Sequence, residues 1–250
     1  MKKIAVILIT ILISACDSEN APDCFKKEGV IIQTEYEVEA FTKIIVYNKV
    51  ALFLKEGAEQ KIILETGENI VNDIEITVSN GTLTLKNNIG CNWVRDYGIT
   101  KIYVTAPNIE EIRNSSALAI NSIGVLRYPS LFLLSDSQSD DEEEYYTNGD
   151  FRLNLEVDNL QITANGLSNF FLSGSATAAR IGLYAGDSRV EAADLIVQNL
   201  NVYHRSTNKM IVNPQASITG EIRSIGDVIA KNEPPTVDVV EYYSGRLIFE

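Results

Sequence analysis

The densest run of reactive side chains is "DSQSDDEEEYY", which places Asp136, Asp140, Asp141, Glu142, Glu143 and Glu144 within nine positions. Carboxylate oxygens are the hard ligands that Ca²⁺ takes, so these six acids form a candidate calcium loop. The run lacks both the D-x-[DN]-x-[DN]-G spacing and a Gly-Gly-x-Gly-x-Asp repeat, and like charges this close repel one another and stay solvated. A solvated acidic loop is the expectation. No other metal site and no cofactor are expected, because the chain has a single histidine, His204, and no CxxC pair. His204 lies in "NVYHRS" and has the chemistry of a general base, yet no G-x-S-x-G context supplies a nucleophile, so a structural role is expected. Asp187, Asp194 and Asp227 each follow small residues. An enzyme acting on polysaccharides would gather such acids on one face, whereas aspartate at a turn caps neighbouring backbone amides. Capping is the expectation, and the chain is read as not an enzyme. Tyr145-Tyr146 and Tyr242-Tyr243 have the rings to stack on a sugar or meet a protein. Within strands, each pair is expected to bury one ring and expose the other.

The three cysteines divide into two problems. Cys16 follows Lys2-Lys3, an aliphatic stretch from Ile4 to Ile13, and the small residues Ser14-Ala15. That order is a secretory signal. As a helix, its apolar run would extend only ~15 Å, half of a ~30 Å hydrocarbon core, so cleavage is expected rather than a permanent span. Ile13-Ser14-Ala15-Cys16 resembles a bacterial lipobox, which implies cleavage before Cys16 and acylation of the new amino terminus, palmitate included. Each buried acyl methylene contributes ~0.8 kcal/mol, and two or three chains hold a protein at a membrane. Residues 1–15 are thus read as a lipoprotein signal peptide, and residues 16–35 as the lipidated cysteine and its tether. The tether begins with the polar "DSENAPDC". Cys24 and Cys91 are the second problem. In an exported chain they have the chemistry to pair, but sequence does not say whether the fold brings their Cα atoms into range.

The full chain carries 34 acids against 21 bases, a net charge of −13, and loss of Lys2 and Lys3 makes it more negative still. Such a chain repels phosphate backbones and makes an anionic bilayer a poor direct partner. No nucleic-acid partner is expected; the membrane is reached through the acyl chains.

The elements that must position these groups are strands. From residue 36 the pattern alternates apolar and polar residues, as in "VEAFTKIIVYNKVALFLKEG", and "DIEITVSNGTLTLKNN" sets Asn80-Gly81 between two alternating runs, the strongest short hairpin signal. Helical periodicity is absent from the mature chain. In the second half, "LQITANG", "IGLYAGD", "LNVYHRS" and "EIRSIGD" recur, with Gly166, Gly186, Ser206 and Gly226 at intervals of 20. Phe170 with Leu172, Val190 with Ala192, and Met210 with Val212 repeat between them. This interval predicts an all-β solenoid, parallel β-helix-like, whose coils of about 20 residues carry three short strands each and bury their apolar faces on one another. Glycines are needed where successive coils approach closely or the backbone turns with positive φ. A barrel or sandwich is the competing architecture.

Residues 36–250 resemble the DUF2807 family, the auto-transporter adhesin head or GIN domain common in lipoproteins of Bacteroidota. "FTKIIVYNKVALFLKEG" is similar to its opening strand pair, "GENIVNDIEITVSNGTLTLKN" to its second segment, and "IYVTAPNIEEIRNSS" to the strand and proline turn leading into the coil. "SGS" at 173–175 and "IGDVIAKNEPPTVDVVEYYSGRLIF" resemble its closing coils. Several coils lack the usual glycines, and residues 133–152 read as an acidic insertion. The resemblance implies a non-enzymatic adhesion or binding role in the cell envelope, with a glycan or a surface protein as partner, and it supplies no catalytic residues. A polysaccharide-active enzyme and a regulatory module with a protein partner are the alternatives. Acids just after Cys16 resemble surface-export signals of Bacteroidota lipoproteins, while an Asp directly after the cysteine resembles an inner-membrane retention signal of other Gram-negative bacteria; the outer membrane is the expectation, with surface exposure as one outcome.

Overall fold

The computed structural model describes residues 21–138 and 145–250. Strands fill it. β1 (Ile31–Tyr36), β2 (Lys43–Tyr47), β3 (Ala51–Glu56), β4 (Lys61–Gly67), β5 (Ile74–Ser79), β6 (Thr82–Asn87), β7 (Lys101–Ala106), β8 (Glu111–Ser115), β9 (Ile120–Leu126) and β10 (Ser130–Ser135) are short. β11 (Phe151–Ala164), β12 (Asn169–Leu183), β13 (Arg189–His204) and β14 (Met210–Ile222) are long; β15 (Val228–Ala230), β16 (Thr236–Glu241) and β17 (Leu247–Phe249) complete the chain.

From β8 onward every pairing is parallel, the arrangement of a coil stacked on itself. Phe151 lies beside Phe170, Phe170 beside Val190, Val190 beside Met210, Met210 beside Val228 and Val228 beside Leu247, so the coil repeats after 19, 20, 20, 18 and 19 residues. All but Leu247 in this row are fully buried. A second inward row runs Leu131, Leu160, Ala179, Leu200 and Ile218. Each fully buried aliphatic side chain in such a row contributes about 1.5–3 kcal/mol. The Phe151 and Phe170 rings stack at 4.8 Å between centroids and 7° between planes, as in-register coils require. The all-β solenoid is therefore the fold, and its coil length is the one the glycine spacing implies.

Two local features differ from the sequence reading. Where three short strands per coil were expected, β11 to β14 are continuous strands of 13 to 16 residues that bend without leaving the ladder. The bend is made by two successive side chains that both face away from the core, as at Asp158-Asn159 and Gln198-Asn199, after which the alternation resumes in the opposite phase. Nor do β2 and β3 pair with each other. β2 joins β6 and β8, and β3 joins β7 and β9, so both already belong to the coil.

The amino-terminal end is closed by strands that run the other way. β1 is antiparallel to β4, and β5 is antiparallel to β6 around Asn80 and Gly81, whose φ values of 49° and 73° are those of the Asn-Gly hairpin turn. β1 occupies residues 31–35, which the sequence reading gave to the tether. Of the insertion read at 133–152, residues 133–135 belong to β10 and 151–152 to β11, leaving 136–150 as the connection.

Cys24 and Cys91 are joined as a disulfide, with Cα atoms 4.5 Å apart. Arg95 ties the same two segments together. Its guanidinium donates to the carbonyl oxygens of Asp23 (2.9 Å), Cys91 (2.7 Å) and Lys26.

Candidate functional site

Cys16 and five of the six acids of the candidate calcium loop, Asp140 to Glu144, lie outside the described residues. Asp136 is described and acts as a hydrogen-bond anchor. Its Oδ1 accepts from the Gln138 amide (2.6 Å) and from Asn165 Nδ2 (3.0 Å), while its carbonyl accepts from Arg113 (2.8 Å). Among the described residues no three His, Cys, Asp or Glu side chains come together as a metal site.

The corner aspartates face neighbouring coils. Asp187 accepts from the Thr207 hydroxyl and from Asn208 Nδ2 one coil on, and Asp227 Oδ1 accepts from the Arg246 amide at 2.9 Å. Asp227 thus caps a backbone amide as expected, whereas Asp187 joins its coil to the next through side-chain donors. Asp194 is exposed beside Arg152 and Glu191, far along the coil from Asp187. His204 points into the core in the row Leu183, His204, Ile222 and is fully buried. Desolvation pushes its pKa down to about 4, with the backbone of Asn208 and Gly226 and the Asp227 carboxylate opposing the shift. A general base needs access to substrate, and this ring has none.

The tyrosine pairs behave differently from each other. Tyr145 is buried against Tyr47 (5.8 Å) with the Arg113 guanidinium 4.1 Å from its ring, and Tyr146 is exposed. Tyr242 and Tyr243 are both exposed, at 54% and 65%, and stand just after β16 rather than within a strand.

Of the residues that converge, only Tyr242 was singled out from sequence. On the outward face of β10 to β14 and β16, parallel register aligns Ser130, Asn159, Ala178, Asn199, Ser217 and Thr236 in one row. Phe132, Gln161, Arg180, Asn201, Thr219 and Asp238 form the next. Ser217 donates to Asn199 Oδ1 and Asn201 Nδ2 to Thr219 Oγ1, both at 3.0 Å, so amides and hydroxyls are held in line rather than waving. The first five members of each row, from β10 to β14, line a groove of about 490 Å³. Five strands at ~4.8 Å give it a length of ~19 Å.

Two residues further along the same strands the face becomes aromatic. Gly182 leaves a gap one coil below Tyr203, and the Tyr184 ring lies over it: a Cβ on Gly182 would fall 2.5 Å from that ring. Tyr184 then stacks on Tyr203 at 4.9 Å and 27°. The Arg223 guanidinium sits 5.9 Å from the Tyr203 ring and 4.0 Å from that of Tyr242. Glu221 pairs with Arg223, and that hydrogen bond raises the guanidinium pKa further, fixing the charge over the rings. The signal for this platform was in the sequence: Tyr184, Tyr203 and Tyr242 recur on the interval of the coil or twice it.

The model of the family described as "Putative auto-transporter adhesin, head GIN domain" (DUF2807) matches residues 40–234. Among solved structures, the chain is similar to a "putative adhesin" from Bacteroides fragilis at 18% identity and a TM-score of 0.78, covering 90% of this chain and 99% of that one. It is also similar to a "putative adhesin" from Parabacteroides merdae at 16% identity and a TM-score of 0.62, covering 90% and 98%. A "putative lipid binding protein" from Parabacteroides distasonis follows at 13% identity and 0.59, covering 88% and 97%. No curated protein matches the chain by sequence.

Proposed function

Because this chain belongs to the DUF2807 family of adhesin-head GIN domains, we propose that it is a non-enzymatic binding protein of the cell envelope, anchored through acylated Cys16 and acting as an adhesin toward hydroxyl-rich polymers such as glycans. One observation carries the reading: the outward face of β10 to β14 and β16 aligns fixed amide and hydroxyl groups with a tyrosine-arginine platform. Amides and hydroxyls exchange hydrogen bonds with sugar hydroxyls, and tyrosine rings receive the C–H faces of pyranoses. Because the ladder already orders these groups, little conformational freedom is lost on binding. The adhesin wording of the similar structures supports this direction.

Two measurements test it. Immobilised neutral polysaccharides are expected to retain residues 16–250, and Tyr203→Ala, which removes the middle of the platform, is expected to weaken retention about fivefold, or ~1 kcal/mol. Release of reducing ends from those polysaccharides would show an enzyme instead. Cells fed labelled palmitate are expected to label the wild-type chain and not Cys16→Ser, and protease added to intact cells is expected to clip the wild-type protein. Equal labelling of both forms would remove the anchor from the reading.

A further inference from the structure

The disulfide and the Arg95 clamp hold a loop that the solenoid does not need, and that loop carries the most exposed aromatic residues at the amino-terminal end. Trp93 is 73% exposed and Tyr97 77%; Val94 and Phe25 stand open beside them. Phe25 and Trp93 meet edge to face at 5.2 Å, and Val94 shares a hollow with exposed Val30. Other exposed apolar side chains, such as Leu167 and Ile225, stand elsewhere along the coils, whereas these stand in water on segments that a disulfide joins. Exposed apolar groups gathered this way mark a contact surface.

The position of the loop identifies the occupant. The Trp93 amide donates to the Cys24 carbonyl at 3.1 Å, and Cys24 stands eight residues after Cys16. Fully extended, eight residues reach no more than ~28 Å, so lipid chains on Cys16 keep this loop close to the bilayer. Tryptophan and tyrosine are the side chains that settle at a membrane–water interface, with the ring among the upper acyl chains and the polar edge among the headgroups. The surrounding charges are mixed, with Lys27 set against Glu28 and Glu68, and the chain as a whole is strongly acidic. Apolar insertion into a zwitterionic layer fits that balance, and attraction to anionic lipid does not.

We propose that Phe25, Trp93, Val94 and Tyr97 form a bilayer-facing foot, which enters the headgroup region of the membrane holding the acyl chains and orients the solenoid relative to it. This rests on the anchor at Cys16. A foot beside a single flexible tether converts a protein that could lie in any direction into one that presents a fixed face outward.

Trp93 is the only tryptophan, so its fluorescence reports the foot alone. Cys16 is the one cysteine outside the disulfide. Every strand among the described residues lies between Ile31 and Phe249, and residues 16–250 contain them all. Their Cys16 thiol can be coupled to a maleimide phospholipid in phosphatidylcholine vesicles, with and without bromine on the upper acyl chains. On coupling, Trp93 emission is expected to move to shorter wavelength, to be quenched by the brominated lipid and to lose access to aqueous iodide. Val94→Asp is expected to restore iodide access while leaving the melting temperature unchanged. Emission that stays as open to iodide as in the uncoupled chain, with no quenching by bromine, would overturn the proposal and leave the patch facing water or a protein partner. Because the coupling is chemical, this outcome is separate from palmitate labelling in cells, which decides the anchor itself.

Discussion

Gly220→Ala is expected to destabilise the protein by at least ~3 kcal/mol and to abolish a single cooperative melt. Gly220 sits in the ladder between Val202 and Val239 with φ of +125°, a region that L side chains do not enter without strain. A Cβ there would lie 1.9 Å from the Val202 carbonyl oxygen. That oxygen belongs to the next coil, and strands in a ladder are held ~4.8 Å apart by their hydrogen bonds, so neither can retreat without breaking bonds along β13 and β14. Gly81→Ala is the control. Its φ of +73° is also positive, but no atom lies within 4 Å of the added carbon, and a cost of about 1 kcal/mol is expected from backbone strain alone. Guanidinium unfolding of the two variants separates the terms. If Gly220→Ala unfolded at nearly the same denaturant concentration as Gly81→Ala, the close approach of coils at this point would be wrong.

The contrast also shows why some of the architecture was legible in the sequence and some was not. Gly166, Gly186 and Gly226 announce the coil because they share one cause. A Cβ on Gly186 would meet the Gly166 carbonyl at 2.3 Å, and one on Gly226 would meet the Asn208 carbonyl at 2.0 Å, so the corner crowds out a side chain at these glycines, while Ser206 fits by donating to the Ser188 carbonyl. Gly220 belongs to no such series and passes unnoticed between Thr219 and Glu221. The bends were invisible for a related reason. Asp158-Asn159 in the middle of β11 has the composition of a turn, and only the neighbouring coil shows that the ladder continues through it. Cys24 and Cys91 are 67 residues apart, too far for any local pattern to place them together.

The candidate site follows the same logic at the level of side chains. An outward row such as Ser130, Asn159, Ala178, Asn199 and Ser217 draws one residue from each coil, so it has no motif along the chain and takes shape only when the register is known. Single residues of ordinary type become a surface through stacking. The reactive residues that did stand out, the corner aspartates and His204, stood out by type, and the structure assigns Asp187 and Asp227 to holding coils together and His204 to the interior.

His204 carries the second large prediction, because a lone imidazole in an aliphatic row makes stability depend on acid. Its ring lies between Leu183 and Ile222 of the adjoining coils, fully buried, with the backbone of Asn208 and Gly226 beside it but no well-formed hydrogen bond to either ring nitrogen. Burial therefore keeps it neutral, with a pKa near 4 in the fold against 6.5 when unfolded. Above pH 6.5 both states hold the neutral ring, and pH has no effect through this group. Below 6.5 the unfolded chain takes up a proton that the folded chain refuses, so stability falls as pH falls, by ~1.4 kcal/mol per unit. The fall ends near pH 4, where the folded ring is protonated as well. Between pH 6.5 and 5, above the range where most carboxylates titrate, the expected loss is about 2 kcal/mol. Substitution by leucine repeats the residue found one coil earlier in the same row and removes two unsatisfied polar atoms from the core. His204→Leu is thus expected to flatten the profile between pH 6.5 and 5 and to be at least as stable as the wild type at pH 7.5. Denaturation curves at half-unit pH intervals check both statements. Parallel profiles for the two proteins would mean that the ring is hydrated or paired in solution, and that this row of the solenoid is not sealed from water.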